Sequence, residues 1–162
     1  MAAAVPRIGF GYDSHVFEEG RPLVLGGVAI PGCAGLKAHS DGDALIHALI
    51  DAMLGAAALG DIGAHFPDTD ARWKGADSRD LLARTAALVE KAGLRLGNAD
   101  VTVICQKPRL RPFIDAIRES LAAVLRVEPS AISVKGKTNE GMDAVGRSEG
   151  LAVHAAVLLF PL

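Results

Sequence analysis

His39-Ser-Asp-Gly-Asp-Ala-Leu-Ile-His47, running on through Asp51 to Leu54, decides how this chain is read. Ser40 stands where a helix N-cap belongs, and Asp43 three residues later completes a pair like a capping box. The residues after Asp43 are almost wholly apolar: Ala44, Leu45, Ile46, Leu49, Ile50, Met53 and Leu54. A helix this apolar is buried on nearly every side. Yet Asp43, His47 and Asp51 recur every four residues and form one polar stripe. Buried carboxylates and imidazoles are costly unless they are paired or ligate a metal. A hydrogen-bonded stripe and a metal site are both open readings of this helix alone.

The flanking segments organise around it. Arg7 to Phe17 reads as a strand, which puts Asp13 and His15 on one face because residues two apart point the same way. Gly9 and Gly11 lie on the opposite phase from Ile8 and Phe10, so another element can approach the backbone there. Asp-x-His alone fits an ordinary polar strand face as well as a ligand pair. Leu23 to Ile30 reads as a second strand split by Gly26-Gly27. The Leu59–Asp70 loop carries glycines around Asp61 whose exposed amides could face an anion, or it is simply a solvated acidic loop. Trp73 reads as a packing anchor for that loop. Helices are expected from Asp77-Ser78 to about Lys91, ended by Gly93, and from about Phe113 to Leu125. Asp100–Cys105, Ala131–Lys135 and Gly150–Phe160 read as strands, with a polar loop from Gly136 to Gly146. Alternating strands and helices predict one domain over residues 1–162, of the α+β class. A mixed β-sheet would carry helices packed on one face.

Composition bounds the function. The chain has 162 residues, of which 50% are hydrophobic but only 4% aromatic, so its core is built from Ala, Val, Ile and Leu. A net charge of -2 argues against a general nucleic-acid or membrane-surface binder. An anionic ligand needs a local site instead. Two cysteines, Cys33 and Cys105, make no disulfide framework and fit reduced thiols in a cytoplasmic protein. Met1 to Pro6 lacks the regions of a signal peptide, and no run approaches the ~20 apolar residues of a membrane span.

Asp13, His15 and His47 together offer two imidazoles and a carboxylate, the layout of a zinc site that keeps a fourth position open. Six motifs then occur in one order: Gly9-Phe-Gly-Tyr-Asp-Ser-His15, His39-Ser-Asp-Gly-Asp43, Leu59-Gly-Asp-Ile-Gly63, Phe66-Pro-Asp-Thr-Asp70, Lys74-Gly-Ala-Asp-Ser-Arg79 and Gly146-Arg-Ser-Glu-Gly150. From Arg7 to about Leu159 the chain closely resembles the 2-C-methyl-D-erythritol 2,4-cyclodiphosphate synthase family of the non-mevalonate isoprenoid pathway. The resemblance implies that 4-diphosphocytidyl-2-C-methyl-D-erythritol 2-phosphate is cyclised to the 2,4-cyclodiphosphate with loss of CMP. It implies zinc on Asp13, His15 and His47, and a second ion, magnesium or manganese, on the diphosphate near Glu140. His39 and Thr138 match the positions that stabilise the transition state. Ser40, Asp61, Ile62, Gly63, Phe66, Asp68 and Asp70 match contacts to the methylerythritol phosphate half, which Asp13, His15 and His39 also touch. Cys105, Pro108, Arg109, Leu110 and Arg111, with Lys137, Thr138, Asn139 and Glu140, match the cytidine and diphosphate pocket. Arg147 matches a further position near substrate. Homotrimers with active sites between subunits are implied too.

Phosphoryl transfer needs in-line positioning and neutralised oxygens, and the N-terminus of the His47 helix reads as a phosphate seat. Asp43 and Asp51 could orient the metal ligands from behind. Two departures from the family pattern stand out. Gly136-Lys-Thr-Asn-Glu140 replaces the common Ala-Thr-Thr-Thr-Glu, adding a cation, and Met142-Asp-Ala144 replaces the common Leu-Gly-Phe, removing a bulky ring. The basic loop also carries two cations, Arg109 and Arg111, where one is common. Rival readings are a zinc phosphohydrolase and a non-catalytic nucleotide-binding trimer.

Overall fold

The computed structural model describes residues 5–162, so most of the Met1–Pro6 stretch lies outside the described residues. The chain opens with a long strand, β1 (Arg7–Glu18), then a small hairpin of β2 (Leu23–Leu25) and β3 (Val28–Ile30), and a short β4 (Gly35–Leu36). Next come helices α1 (Ala44–Ala56), α2 (Ile62–His65) and α3 (Ser78–Lys91), with a 3-10 turn at Ala71–Trp73 before α3. Strand β5 (Leu94–Ile104), helix α4 (Ile114–Leu125), strand β6 (Ile132–Lys137), the single turn α5 (Asp143–Gly146) and strand β7 (Gly150–Pro161) complete it.

The main sheet has the order β4-β1-β7-β5-β6. Strand β7 runs antiparallel to both β1 and β5, while β5 and β6 are parallel and joined through α4. The sheet is therefore mixed, as the alternation of elements predicts. The expected strand over Leu23–Ile30 is instead the β2–β3 hairpin, because Gly26 and Gly27 both take positive φ, the backbone a two-residue hairpin turn requires. Strand β5 starts six residues before the expected Asp100, since Leu94 and Leu96 pair with Pro161 and Leu159 across a register shift at Asn98. Lys137 belongs to β6, and α5 forms inside the segment read as a loop.

One side of the sheet faces the core. Gly9, Gly11, Asp13 and His15 alternate with Ile8, Phe10, Tyr12 and Val16, and all four of the latter lie on the exposed side. Ala99, Val101 and Val103 of β5 and Leu151, Val153, Ala155, Val157 and Leu159 of β7 point inward, under α1, α3 and α4. Helix α1 is the centre of the molecule: Leu45, Ile46, Leu49, Ile50 and Leu54 have no exposed surface. Each contributes roughly 1.5–3 kcal/mol relative to an exposed position. Aliphatic side chains suffice because α1 lies so close to β1, where two glycines present bare backbone.

The start of α1 differs from the sequence reading. Its N-cap is Asp43, not Ser40: Asp43 Oδ1 accepts from the Ile46 amide at 3.0 Å. The same carboxylate accepts from Gly26 N at 2.9 Å and Gly27 N at 2.7 Å, tying the hairpin turn to the helix end. The Asp43 carboxylate thus already meets the positive end of α1. Burial pushes the Asp43 carboxyl up to about 6, against the three backbone bonds that favour its charged form.

Candidate active site

The triad assembles where α1 crosses β1. Asp13 and His15 project from the inner face of β1, and His47 from the first turn of α1 meets them. Asp13 Oδ2 lies 2.9 Å from His15 Nε2 and 3.2 Å from His47 Nδ1. One donor atom from each residue falls within a 4.8 Å cluster. Burial works to raise the Asp13 carboxyl, but its contacts with His15 and His47 together hold it below the usual carboxylate range. His15 is raised, chiefly by its bond with Asp13.

The outer nitrogens test whether a metal fits. His15 Nδ1 lies 2.7 Å from the Lys37 carbonyl, which only accepts, so Nδ1 carries a proton in either ring state and Nε2 is the nitrogen that loses its proton to a metal. His47 Nε2 lies 3.0 Å from Ser78 Oγ and 3.2 Å from Ser40 Oγ, leaving Nδ1 to face Asp13. Once the inner nitrogens are deprotonated, two imidazoles and a carboxylate turn lone pairs to one point, an arrangement a divalent cation completes. The donor set of two nitrogens and one carboxylate oxygen suits zinc with an open position. Asp43 and Asp51, read as supports for these ligands, do other work. Asp43 caps α1, and Asp51 Oδ1 accepts from Ile62 N at 2.7 Å. Burial raises the Asp51 carboxyl above its usual value.

His39 is exposed on the loop leading to α1. Its backbone is gripped from both sides. Arg21 donates to the Ala38 and Ser40 carbonyls, each at 2.7 Å, and Gly75 N donates to the His39 carbonyl at 3.0 Å. Further along, Asp61 caps α2 by accepting from Ala64 N at 2.9 Å. The Ile62 and Ala64 amides are thus taken by the carboxylates of Asp51 and Asp61. Phe66 packs edge-on against Trp73, with ring centres 5.2 Å apart, so Trp73 is the expected packing anchor. Asp70 is bound to Arg72, with a closest contact of 2.6 Å, and Asp68 is exposed.

The late residues form a separate hollow. A cavity of about 410 Å³ opens at the C-terminal ends of β5 and β6. Cys105, Pro108, Arg109, Leu110, Arg111, Lys137 and Thr138 line it. Gln106 and Gly136, from the same two segments, line it too, as do Ile114, Val134 and Lys135, which sequence reasoning did not single out. Their apolar members were hidden because Ile114 and Val134 look like ordinary core positions. Lys107-Pro108 is a cis peptide. Asn139 and Glu140 stand beside the cavity: Thr138 Oγ1 donates to Glu140 Oε1 at 2.9 Å, and Asn139 donates to the Met142 carbonyl at 3.0 Å. Arg147 is exposed and paired with Glu149 at 2.6 Å. Burial pushes the Cys105 thiol up to about 11, which makes it an inert wall rather than a nucleophile.

Metal triad and cavity lie at one end of the sheet. His15 pairs with Leu151, and Ile104 with the adjacent Ala152, so the ends of β1 and β5 flank the start of β7. No triad residue lines the cavity.

Known proteins share the sequence and the fold over most of this chain. The family model described as YgbB family matches residues 6–160. A protein of Alcanivorax borkumensis named 2-C-methyl-D-erythritol 2,4-cyclodiphosphate synthase is 60% identical over 153 residues, covering 94% of this chain and 96% of that one. The bifunctional IspDF of Campylobacter jejuni superposes with a TM-score of 0.95 at 44% identity, and this chain covers 43% of its length. The CDP complex of IspF from Plasmodium falciparum superposes with a TM-score of 0.85 at 36% identity, with 99% of each chain covered. With the family model matched over residues 6–160 and relatives this similar over nearly the whole chain, this chain belongs to the YgbB family.

Proposed function

We propose that the chain acts as one synthase domain that forms 2-C-methyl-D-erythritol 2,4-cyclodiphosphate and releases CMP, within the non-mevalonate isoprenoid route. A 2-phosphate oxygen attacks the β-phosphorus of the cytidine diphosphate ester, and the bond to the CMP oxygen breaks, so no water enters and no phosphate is lost. The observation that carries this reading is a donor triad at the same sheet end as a nucleotide-sized, cation-rimmed cavity. Near-full-length relatives named as this synthase support it.

Asp13, His15 and His47 would hold a divalent ion, zinc by their chemistry, which when bound supplies positive charge and a template for phosphate oxygens. Glu140, beside Thr138, is proposed to face a second ion, magnesium or manganese, on the diphosphate. His39 and Thr138 donate to the oxygens that gain charge during transfer. Lys137, Arg109 and Arg111 neutralise the diphosphate, while Leu110, Ile114 and Val134 give the cytidine an apolar floor. Ser40, Asp61, Ile62, Gly63, Phe66, Asp68 and Asp70 receive the polyol phosphate, with Arg147 nearby.

We also infer a homotrimer whose sites lie between subunits. The sheet face opposite α1, α3 and α4 supports it: Ile8 is 79% exposed, and Phe10, Tyr12 and Val16 are at least half exposed along the same strand. A cytoplasmic setting fits the two free cysteines. The test is to incubate the purified protein with the cytidine diphosphate ester and a divalent metal, and to follow phosphorus by NMR. Cyclic diphosphate and CMP in equal amounts are expected. Inorganic phosphate would point to a hydrolase, and no turnover to a binding protein.

A further inference from the structure

Ser78 is fully buried, yet it touches the triad. Its hydroxyl donates to Asp41 Oδ1 at 2.5 Å, and its amide donates to Asp41 Oδ2 at 2.8 Å. A hydroxyl carries one hydrogen. With that hydrogen on Asp41, Ser78 Oγ turns only lone pairs toward His47 Nε2, 3.0 Å away. Nε2 must then be the protonated ring nitrogen, and Nδ1 is left bare toward Asp13 Oδ2. The direction of the whole chain is set by the carboxylate, because Asp41 has no hydrogen to give. Ser40 Oγ, 3.2 Å from Nε2, is a second acceptor on the same side.

We propose that Asp41 and Ser78 are positioning residues that lock His47 in its Nε2–H tautomer and so set the affinity of the Asp13–His15–His47 site for a divalent ion. The proposal rests on reading that triad as a metal site. Ser78 reaches His47 from the first turn of α3, and Asp41, in the loop before α1, acts on it through Ser78. The contact therefore also fixes the ring plane relative to β1. His15 reaches the equivalent state through the Lys37 carbonyl, which needs no relay. Outer partners of ligating histidines commonly change metal affinity by about 10–100-fold when removed.

The test uses zinc alone as probe. Competition with a chromophoric chelator gives the zinc dissociation constant of the wild type, Ser78→Ala, Asp41→Ala and the double variant. Ser78→Ala is expected to weaken zinc about tenfold, with Ser40 still accepting from Nε2. Asp41→Ala should weaken it further, because the freed Ser78 hydrogen can turn to Nε2 and hold the ring proton on Nδ1, the ligating atom. Removing the hydroxyl as well should bring the double variant back to the Ser78→Ala level. Losses that simply add, or no loss in Ser78→Ala, would overturn the relay. A structural role for Asp41 alone cannot produce recovery in the double variant. If the Asp41 variants do not fold, nitrogen-15 spectra of the metal-free wild type above the imidazole titration decide the matter. Nε2–H on His47 is expected, and Nδ1–H would overturn the proposal. A wild type that holds no zinc would instead overturn the metal reading, while the same spectra still report the tautomer.

Discussion

The carbonyl oxygen of Ala48 fills the space that a Cβ on Gly11 would need, and Ala52 does the same at Gly9. Helix α1 is thus pressed onto bare strand backbone two residues before Asp13 and one residue after His47. Gly11→Ala is expected to destabilise the protein by about 1–3 kcal/mol in denaturant unfolding, through overpacking against backbone that cannot rotate away. Zinc affinity should fall as well, since the ligands ride on the two elements forced apart. A loss under about 0.5 kcal/mol would mean the contact relaxes freely.

Asp43 makes stability depend on pH with an unusual sign. Its folded pKa is raised to about 6, above the value of an unfolded Asp. The native state therefore binds more protons between about pH 4 and 6, and its stability falls as pH rises through that window. Asn at this position cannot titrate. The stability gap between wild type and Asp43→Asn should narrow as pH goes from about 4 to 7, by roughly 3 kcal/mol from a two-unit shift. Urea melts at several pH values measure it, and a constant gap would show that Asp43 does not titrate in this range.

Arg21 holds the carbonyls on either side of His39. Arg21→Met should lower kcat roughly tenfold with little change in KM, because His39 is misplaced while the nucleotide cavity is untouched. Arg21→Lys, which can restore one of the two bonds, should recover part of the loss. Unchanged kcat in Arg21→Met would show that Gly75 alone holds the loop.

Lys137 lines the cavity and is exposed. Replacing it with Thr should weaken CDP binding and flatten its dependence on salt, the result expected if its charge meets the diphosphate as proposed. Equal affinities across a salt series would mean that Lys137 stays in solvent.

The split between triad and cavity gives a test of the shared site. Co-expressed Asp13→Asn and Thr138→Val chains, each inactive alone, should recover about a quarter of the sites if every site draws its two faces from neighbouring subunits. Mixed trimers verified by mass spectrometry but still inactive would place both faces in one chain.

Much of this was legible in the residues. The apolar run from Ala44 to Leu54 demanded a buried helix. The phase of Gly9 and Gly11 against Ile8 and Phe10 marked the strand face it would cover. Period alone put Asp13 beside His15. These are local properties, set by backbone geometry and hydrophobic patterning. The cap on α1 was not legible, because Ser40 and Asp43 both satisfy local capping rules. Only the hairpin amides of Gly26 and Gly27, brought in from seventeen and sixteen residues away, select Asp43. The same holds for Ser78. In sequence it is merely the residue after the helix cap Asp77, yet tertiary packing places its hydroxyl between Asp41 and His47. A side chain's donors and acceptors are written in the sequence, but which of them meet, and in which direction a hydrogen points, is decided when distant elements pack.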